Sequence, residues 1–378
     1  APYPSLALGA NAVTLVEMAP VLLAREDAEV SAAALTALER DGVRVLTGHK
    51  AVACGLTESG RGIEVEAQGA AQRIGFDEII VAVGRQARLT GYGLEELGIP
   101  AGRVVETNDY LETIYPNIYA AGDVAGPYQF THVGAHQAWF ASVNALFGQF
   151  RRFKADYRVI PAATFLDPEI ARVGLNEAEA RAKGIAYEAT RYGIDDLDRA
   201  IADGSAEGFV KVLTVPGRDR ILGVTIVGEH AADLLAEFVL AMRHGLGLGK
   251  VLSTIHIYPT LAEANKYAAG EWRKAHVSPR ALRMVEAYHS WRRGEAMLDR
   301  FILPFQHRLL APPARSLHRR GVGADALTLV GFAVGLLSLP LLAFGLFGWA
   351  LVAVLLNRLL DGLDGAVARI AGATDRGA

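Results

Sequence analysis

Asp361-Gly-Leu-Asp364-Gly365-Ala-Val-Ala368-Arg369 places two carboxylates one turn apart if the segment is helical, and at spacings of three, four and seven Asp361, Asp364, Gly365 and Ala368 share one face. Such a pair suits a hard divalent ion, Mg2+ or Mn2+, which takes oxygen ligands and shares them with substrate phosphates. The small residues on that face leave room for a nucleotide against the backbone. A second chemistry sits earlier in the chain. Val13-Thr-Leu-Val-Glu17 reads as a strand that ends on an acid. In a βαβ nucleotide fold a carboxylate there accepts hydrogen bonds from ribose hydroxyls and repels a 2′-phosphate, so Glu17 favours NADH over NADPH. Gly84 closes the apolar run Phe76–Val83, and Gly122-Asp123 closes the run that begins at Thr113. A strand that delivers Asp123 beside a helix N-terminus puts an acceptor and backbone donors at one crevice, which suits a flavin dinucleotide.

The elements that must position these residues follow from pattern. A strand at Val13–Glu17, a helix at Ala28–Arg40 and a strand at Val43–Leu46 form the middle of a βαβ unit. The Gly-rich turn such a unit needs is absent, with Leu8-Gly9-Ala10 resembling the tail of its helix. Phe76–Gly84 reads as a buried parallel strand, Thr113–Asp123 as another strand, and Thr131–Phe147 as a helix. From Tyr157 to Ala275 the pattern becomes an antiparallel sheet with helices: a helix at Asn176–Lys183, strands at Phe209–Thr214 and Ile221–Val227, and a helix at Ala231–Arg243. No charged residue occurs from Ala326 to Leu356, a run long enough to span a membrane. Pro340 and the Gly345, Gly348 pair break it into one helix at Ala326–Phe344 and a second from Trp349.

A net charge of -3 over 378 residues gives no overall bias toward nucleic acid. Positive charge is local: Arg292, Arg293, Arg300, Arg308, Arg315, Arg319 and Arg320 precede the apolar run and place its near side in the cytoplasm. The single cysteine, Cys54, excludes a disulfide framework and reads as a small buried residue. The N-terminus shows no secretory signal, so the expected location is the inner membrane with the soluble domain in the cytoplasm.

Thr113 through Asp123 resembles the second FAD motif of the pyridine nucleotide-disulfide oxidoreductases, and Tyr157–Ala275 resembles the dimerisation domain of the same family. The resemblance implies that Asp123 binds the ribityl chain of FAD, that the backbone of Phe130–Val133 lies near the flavin ring, and that the protein is a homodimer with its active site at the interface. The segment His256-Ile-Tyr258-Pro-Thr-Leu-Ala-Glu263 departs from the family pattern, since Tyr258 stands where dihydrolipoamide dehydrogenase carries the proton-shuttling His. His256 lies two residues earlier, on the same face if the segment is extended, and Glu263 matches the acid that orients the His. A Tyr there is closer to mercuric reductase or the soluble transhydrogenases and puts dithiol exchange in doubt. The family's paired cysteines are absent.

Asp361, Asp364, Gly365, Ala368 and Arg369, with Gly377, resemble the start of the CDP-alcohol phosphatidyltransferase signature. That resemblance implies transfer of a phosphatidyl group from a CDP-linked lipid onto an alcohol, with Asp361 and Asp364 on the metal and Gly365, Ala368 and Arg369 against the nucleotide.

The expected architecture is therefore an α/β nucleotide-binding domain remnant plus an α+β dimerisation domain, followed by an all-α transmembrane helical hairpin. Its boundaries are 1–83 for a partial NAD-binding domain, 84–152 for an FAD-binding segment, 153–275 for the dimerisation domain, 276–320 for a basic linker, and 321–378 for the membrane module. Met297 reads as the start of that last protein, with residues 268–293 as the joint. Three readings stay open: a flavin-dependent NAD(P)H oxidoreductase carrying a lipid-transferase module, a lipid-headgroup transferase on a redox-inactive dimerising platform, or a non-enzymatic interaction module that binds nucleotide.

Overall fold

The computed structural model describes residues 12–57, 60–292 and 309–371. Leu8–Ala10, Met297 and Gly377 lie outside the described residues. The chain divides between His276 and Val277 into two compact units.

In the first unit β1 (Val13–Glu17) pairs in parallel with β2 (Val43–Thr47), joined by α1 (Ala28–Arg40). Val30, Ala34, Ala37 and Leu38 are buried at helical spacing and put one apolar face of α1 inward. A three-stranded antiparallel meander follows, β3 (Lys50–Thr57), β4 (Gly60–Ala67) and β5 (Ala70–Gly75). Cys54 is exposed on β3, against the sequence expectation, because the strand faces solvent throughout residues 50–56.

Two further expectations fail here. Residues 76–84 join no ladder, and Val83 is 90% exposed with Ile80 at 69% and Val81 at 71%. An apolar run becomes a buried parallel strand only where neighbouring strands receive it on both edges, and no described strand lies beside this one. Residues 113–121 form an irregular segment held by one isolated bridge, Glu112 to Tyr119, in place of a strand. A short 3-10 turn at Gly122–Val124 and α2 (Thr131–Phe147) complete this region.

The sheet that follows has the order β6-β7-β10-β9-β8, all antiparallel: β6 (Pro161–Thr164), β7 (Glu169–Gly174), β8 (Glu188–Gly193), β9 (Phe209–Thr214) and β10 (Ile221–Gly228). Short helices α3 (Glu177–Ala182) and α4 (Asp198–Asp203) connect its strands. α5 (Ala231–Arg243) lies against β6, β7 and β10, then α6 (Leu248–Ser253) leads to α7 (Glu263–Ala275), which lies against β8 and β9. Phe238, fully buried on α5, centres a core shared with Val212, Val224, Ile226 and Trp272. Burying such a ring stabilises by about 1.5–3 kcal/mol.

The second unit is helical: α8 (Pro279–Arg292), a helix over residues 309–319, α9 (Ala324–Ala343) and α10 (Phe347–Ala371). The division between the two units falls within the expected joint, residues 268–293, whose described part completes α7 and forms α8. Gly345, at φ +71°, ends α9: its N–H reaches Leu342 O and that of Leu346 reaches Leu341 O, a Schellman cap that permits the tight return. Gly331 and Gly335 let α10 approach, since a Cβ on Gly335 would lie 3.0 Å from Asn357 Nδ2. Asn357 donates to Gly331 O at 2.8 Å.

Among the described residues α9 alone is long and apolar enough to cross a membrane, with a mean hydropathy of 2.2 over its best window. The expected two-span hairpin is therefore not shown. Arg358, Asp361, Asp364 and Arg369 fall within α10 and interrupt its apolar run.

Candidate functional site

Gly122 and Asp123 are held by α2. Gly122 takes φ +81°, and a Cβ on Gly134 would sit 3.2 Å from its Cα, so glycine at both positions allows the loop to lie on the helix. Fully buried Gln137 fixes the loop: its Oε1 accepts the Gly122 N–H at 2.7 Å, and its Nε2 donates to Gly126 O at 2.5 Å and Tyr157 Oη at 2.8 Å. Nothing in the sequence reading singled out Gln137, because a lone Gln in a helix carries no pattern.

Arg85 joins the two glycine-ended segments. It follows Gly84, which takes φ +119°; its Nη1 is 3.9 Å from Asp123 Oδ2, and its Nη2 donates to Gln129 O just before α2. Gly84, Gly122, Asp123 and the first turn of α2 thus converge, although none belongs to a regular strand. At this exposure the Arg85–Asp123 pair contributes little to stability. Its consequence is geometric: a half-exposed carboxylate and a guanidinium lie together beside the segment that enters α2. That set fits a dinucleotide, whose hydroxyls need an acceptor and whose phosphates need donors.

Glu17 ends β1 as expected. Its Oε1 accepts the Ala19 N–H at 2.7 Å and its carbonyl accepts the His49 N–H at 3.0 Å, which fixes the turn that leaves the strand.

The segment after α6 rearranges the expected set. His256 is almost wholly buried as a side chain; its Nε2 lies 3.0 and 3.1 Å from the oxygens of Glu237 on α5, and its Nδ1 lies 3.0 Å from Thr254 O. Asn265 donates to Glu237 Oε2 at 2.9 Å and to Leu234 O at 2.9 Å. The carboxylate beside His256 is therefore that of Glu237, which α5 brings next to the loop, while Glu263 is the nearer acid in the chain. Glu263 instead accepts the Thr260 N–H at 3.4 Å and faces Tyr267 Oη at 3.5 Å.

His256 and Tyr258 do not share a face. While His256 points inward, Tyr258 is exposed and donates its hydroxyl to Asp198 Oδ2 at 2.8 Å on α4. That bond holds the phenol above its usual pKa of 10.0, so Tyr258 stays neutral and acts as a donor across the physiological range.

In the second unit Asp361 and Asp364 lie on one continuous helix. Asp361 Oδ2 is 3.7 Å from Arg358 Nη1, and Asp364 Oδ2 accepts the Thr328 hydroxyl of α9 at 2.7 Å. A Cβ on Gly365 would meet only the Arg369 guanidinium, at 3.6 Å, and Ala368 lies on the same face. Among the described residues no group of three or more His, Cys, Asp or Glu is arranged to hold a metal. Two carboxylates alone do not form a cage for Mg2+ or Mn2+; a bound ion would need phosphate oxygens or water to complete its shell.

The comparisons with known proteins fall on the first unit. Residues 5–138 match the family profile for pyridine nucleotide-disulphide oxidoreductase, and residues 160–269 match the profile for the dimerisation domain of that family. A dihydrolipoyl dehydrogenase from Thermus scotoductus is 38% identical over 261 residues, covering 68% of this chain and 56% of its own length. One from Bacillus subtilis is 32% identical over 260 residues, covering 68% of this chain and 54% of its own. The chain thus spans about half the length of the curated relatives it matches. Among solved structures, the HOCl-induced flavoprotein disulfide reductase RclA from Escherichia coli superposes with a TM-score of 0.62 at 24% identity, covering 68% of this chain and 59% of that one, and shares its fold.

Proposed function

Because residues 5–138 and 160–269 are domains of the pyridine nucleotide-disulphide oxidoreductase family, we propose that the first unit is the nucleotide and interface portion of an FAD-dependent, NADH-linked oxidoreductase that works as a homodimer. The observation that carries this reading is the convergence of Gly84, Arg85 and Asp123 beside Gln129, at the entry to α2. FAD, when bound, supplies the hydride and electron chemistry. The chain's own residues would hold it: Asp123 would accept from a ribityl hydroxyl, and the backbone of Phe130–Val133 would lie near the flavin ring. Glu17 accepts from the ribose hydroxyls of NADH and disfavours NADPH.

Tyr258 presents a neutral donor where a dithiol enzyme needs a base. Its hydroxyl is committed to Asp198, and His256 behind it is saturated by Glu237 and Thr254. A small acceptor that requires no thiol deprotonation fits this surface better than a dithiol, even though the curated relatives are dihydrolipoyl dehydrogenases. The decisive variant is Asp123→Ala in the intact protein. It should lower flavin content several-fold with the fold retained; full flavin occupancy would refute the assignment.

For the second unit a specific contact favours a further reading, a CDP-alcohol phosphatidyltransferase module set at the membrane by α9. Thr328 of α9 orients Asp364 of α10, on the face that also carries Asp361, Gly365, Ala368 and Arg369. This reading makes a CDP-linked lipid the substrate and the cytoplasmic face of the inner membrane the site. The alternative of a transferase with a redox-inactive platform would gain if the intact protein bound no flavin.

A further inference from the structure

The most densely charged buried point of the first unit lies away from all of these groups. Lys211 sits mid-strand in β9 with only 4% of its side chain exposed, and its Nζ is 2.6 Å from Asp27 Oδ2, 2.5 Å from Glu29 Oε1 and 3.1 Å from Glu177 Oε1. Each carboxylate is shared outward. Asp27 accepts the backbone N–H groups of Glu177 and Ala178 at 3.3 and 3.1 Å, Glu29 lies 3.5 Å from Arg191 Nε, and Glu177 lies 2.6 Å from Arg181 Nη2 and accepts Tyr187 Oη at 2.8 Å. A buried ammonium persists only where its partners are placed this completely, so the cluster fixes Asp27 against β9 and α3.

Asp27 is also the N-cap position of α1, the far end of the segment that starts at Glu17. That segment is pinned along its length. Ala19 donates to Glu17 Oε1 at 2.7 Å and accepts from Gly48 at 2.8 Å; Leu22 packs with Leu38 and Val43; Leu23, at φ +49°, packs against the cores formed by Leu22, Leu38 and Val43 and by Val30 and Ala34. Asn176 donates to Arg25 O at 2.7 Å, and Arg172 Nε is 2.9 Å from Glu26 Oε2. A left-handed leucine holds its conformation only when its surroundings impose it. Residues 17–27 therefore form a taut strap from the acid at the end of β1 to the middle of the antiparallel sheet.

We propose that Lys211 is a positioning residue for nucleotide recognition: through Asp27 and the strap it sets the place of the Glu17 carboxylate, and so couples the dimerisation sheet to the choice between NADH and NADPH. The inference rests on the reading of Glu17 as the ribose-binding acid. Lys211 touches no cofactor in this scheme; it acts by removing slack from the chain that carries Glu17.

The test measures NADH and NADPH dissociation constants by fluorescence on the intact protein and on Glu17→Ala, Lys211→Met and Asp27→Asn. Asp27→Asn keeps an acceptor for α3 and serves where Lys211→Met fails to fold. Both strap variants should weaken NADH about fivefold, at the low end of couplings between distinct sites, with NADPH changed less and flavin content unaltered. Adding Lys211→Met or Asp27→Asn to Glu17→Ala should then change the ratio no further, since both act through one carboxylate. If Glu17→Ala shifts the ratio and the folded strap variants do not, the coupling is refuted while the role of Glu17 stands. If Glu17→Ala itself leaves the ratio unchanged, the role of Glu17 falls and the coupling falls with it.

Discussion

His256 Nε2 lies 3.0 Å from Glu237 Oε1, and the same carboxylate accepts from Asn265 at 2.9 Å, so α5 and α7 grip one side of the loop that carries Tyr258. Removing the acid while keeping its shape breaks the grip. Glu237→Gln should destabilise the unit by about 1.5–3 kcal/mol, the range for losing a hydrogen bond to a charged group. Urea unfolding gives the value. Glu263→Gln, whose carboxyl meets only Thr260 and Tyr267, should cost less; equal losses would give the two acids the same weight in holding the loop.

Lys211→Met leaves three carboxylates facing an apolar group, and breaking a buried ion pair on one side costs about 3–5 kcal/mol. Replacing Asp27 and Glu177 by neutral isosteres in the same background should recover part of that loss. An unchanged midpoint in the triple variant would show that the penalty is steric.

Acid dependence follows from the same cluster. Burial opposes ionisation of Asp27 and Glu177, yet the bonds from Lys211, the α3 N–H groups and Tyr187 outweigh it and hold Asp27 below its usual 3.8 and Glu177 below 4.5. A depressed carboxyl stabilises above its unfolded pKa and loses that contribution as pH falls through the folded one. Glu26 runs the other way: burial raises it above 4.5, so it favours the folded state as it takes a proton. Wild type should lose stability steeply below about pH 4, and Asp27→Asn should flatten that limb. At the basic end Lys211, raised to about 12, keeps its contribution until pH climbs past its usual 10.5 toward that value.

Much of this architecture was legible in the chain. Val13–Glu17, Ala28–Arg40, Thr131–Phe147 and Ala231–Arg243 appear with the bounds their patterns imply. In Ala28–Arg40 and Ala231–Arg243 the apolar period matches the face that the unit buries, whereas Thr131–Phe147 buries Val133, Gln137, Ala141 and Asn144 and leaves Trp139, Leu146 and Phe147 exposed. Phe76–Val83 failed because, among the described residues, no strand flanks it, so most of its apolar side chains stay exposed. Gln137, Glu237 and Lys211 were invisible because each works across a long loop, on a partner set by packing and not by spacing. Cys54 misled because a small thiol is usually buried, whereas β3 is an open strand.

In the second unit the Thr328–Asp364 bond should matter to chemistry more than to packing. Thr328→Val should lower transfer from a CDP-linked lipid, measured with Mg2+ in reconstituted membranes, by about tenfold, the scale on which groups that orient metal ligands act. Asp364→Ala should abolish it. Full activity in Asp364→Ala would remove the transferase reading.

The central claim is met most directly by anaerobic titration of the intact purified protein with NADH, following the visible flavin absorbance. A yellow protein whose band bleaches stoichiometrically with NADH, and far less readily with NADPH, is the expected result. A colourless protein, or a flavin that NADH leaves oxidised, would contradict the account.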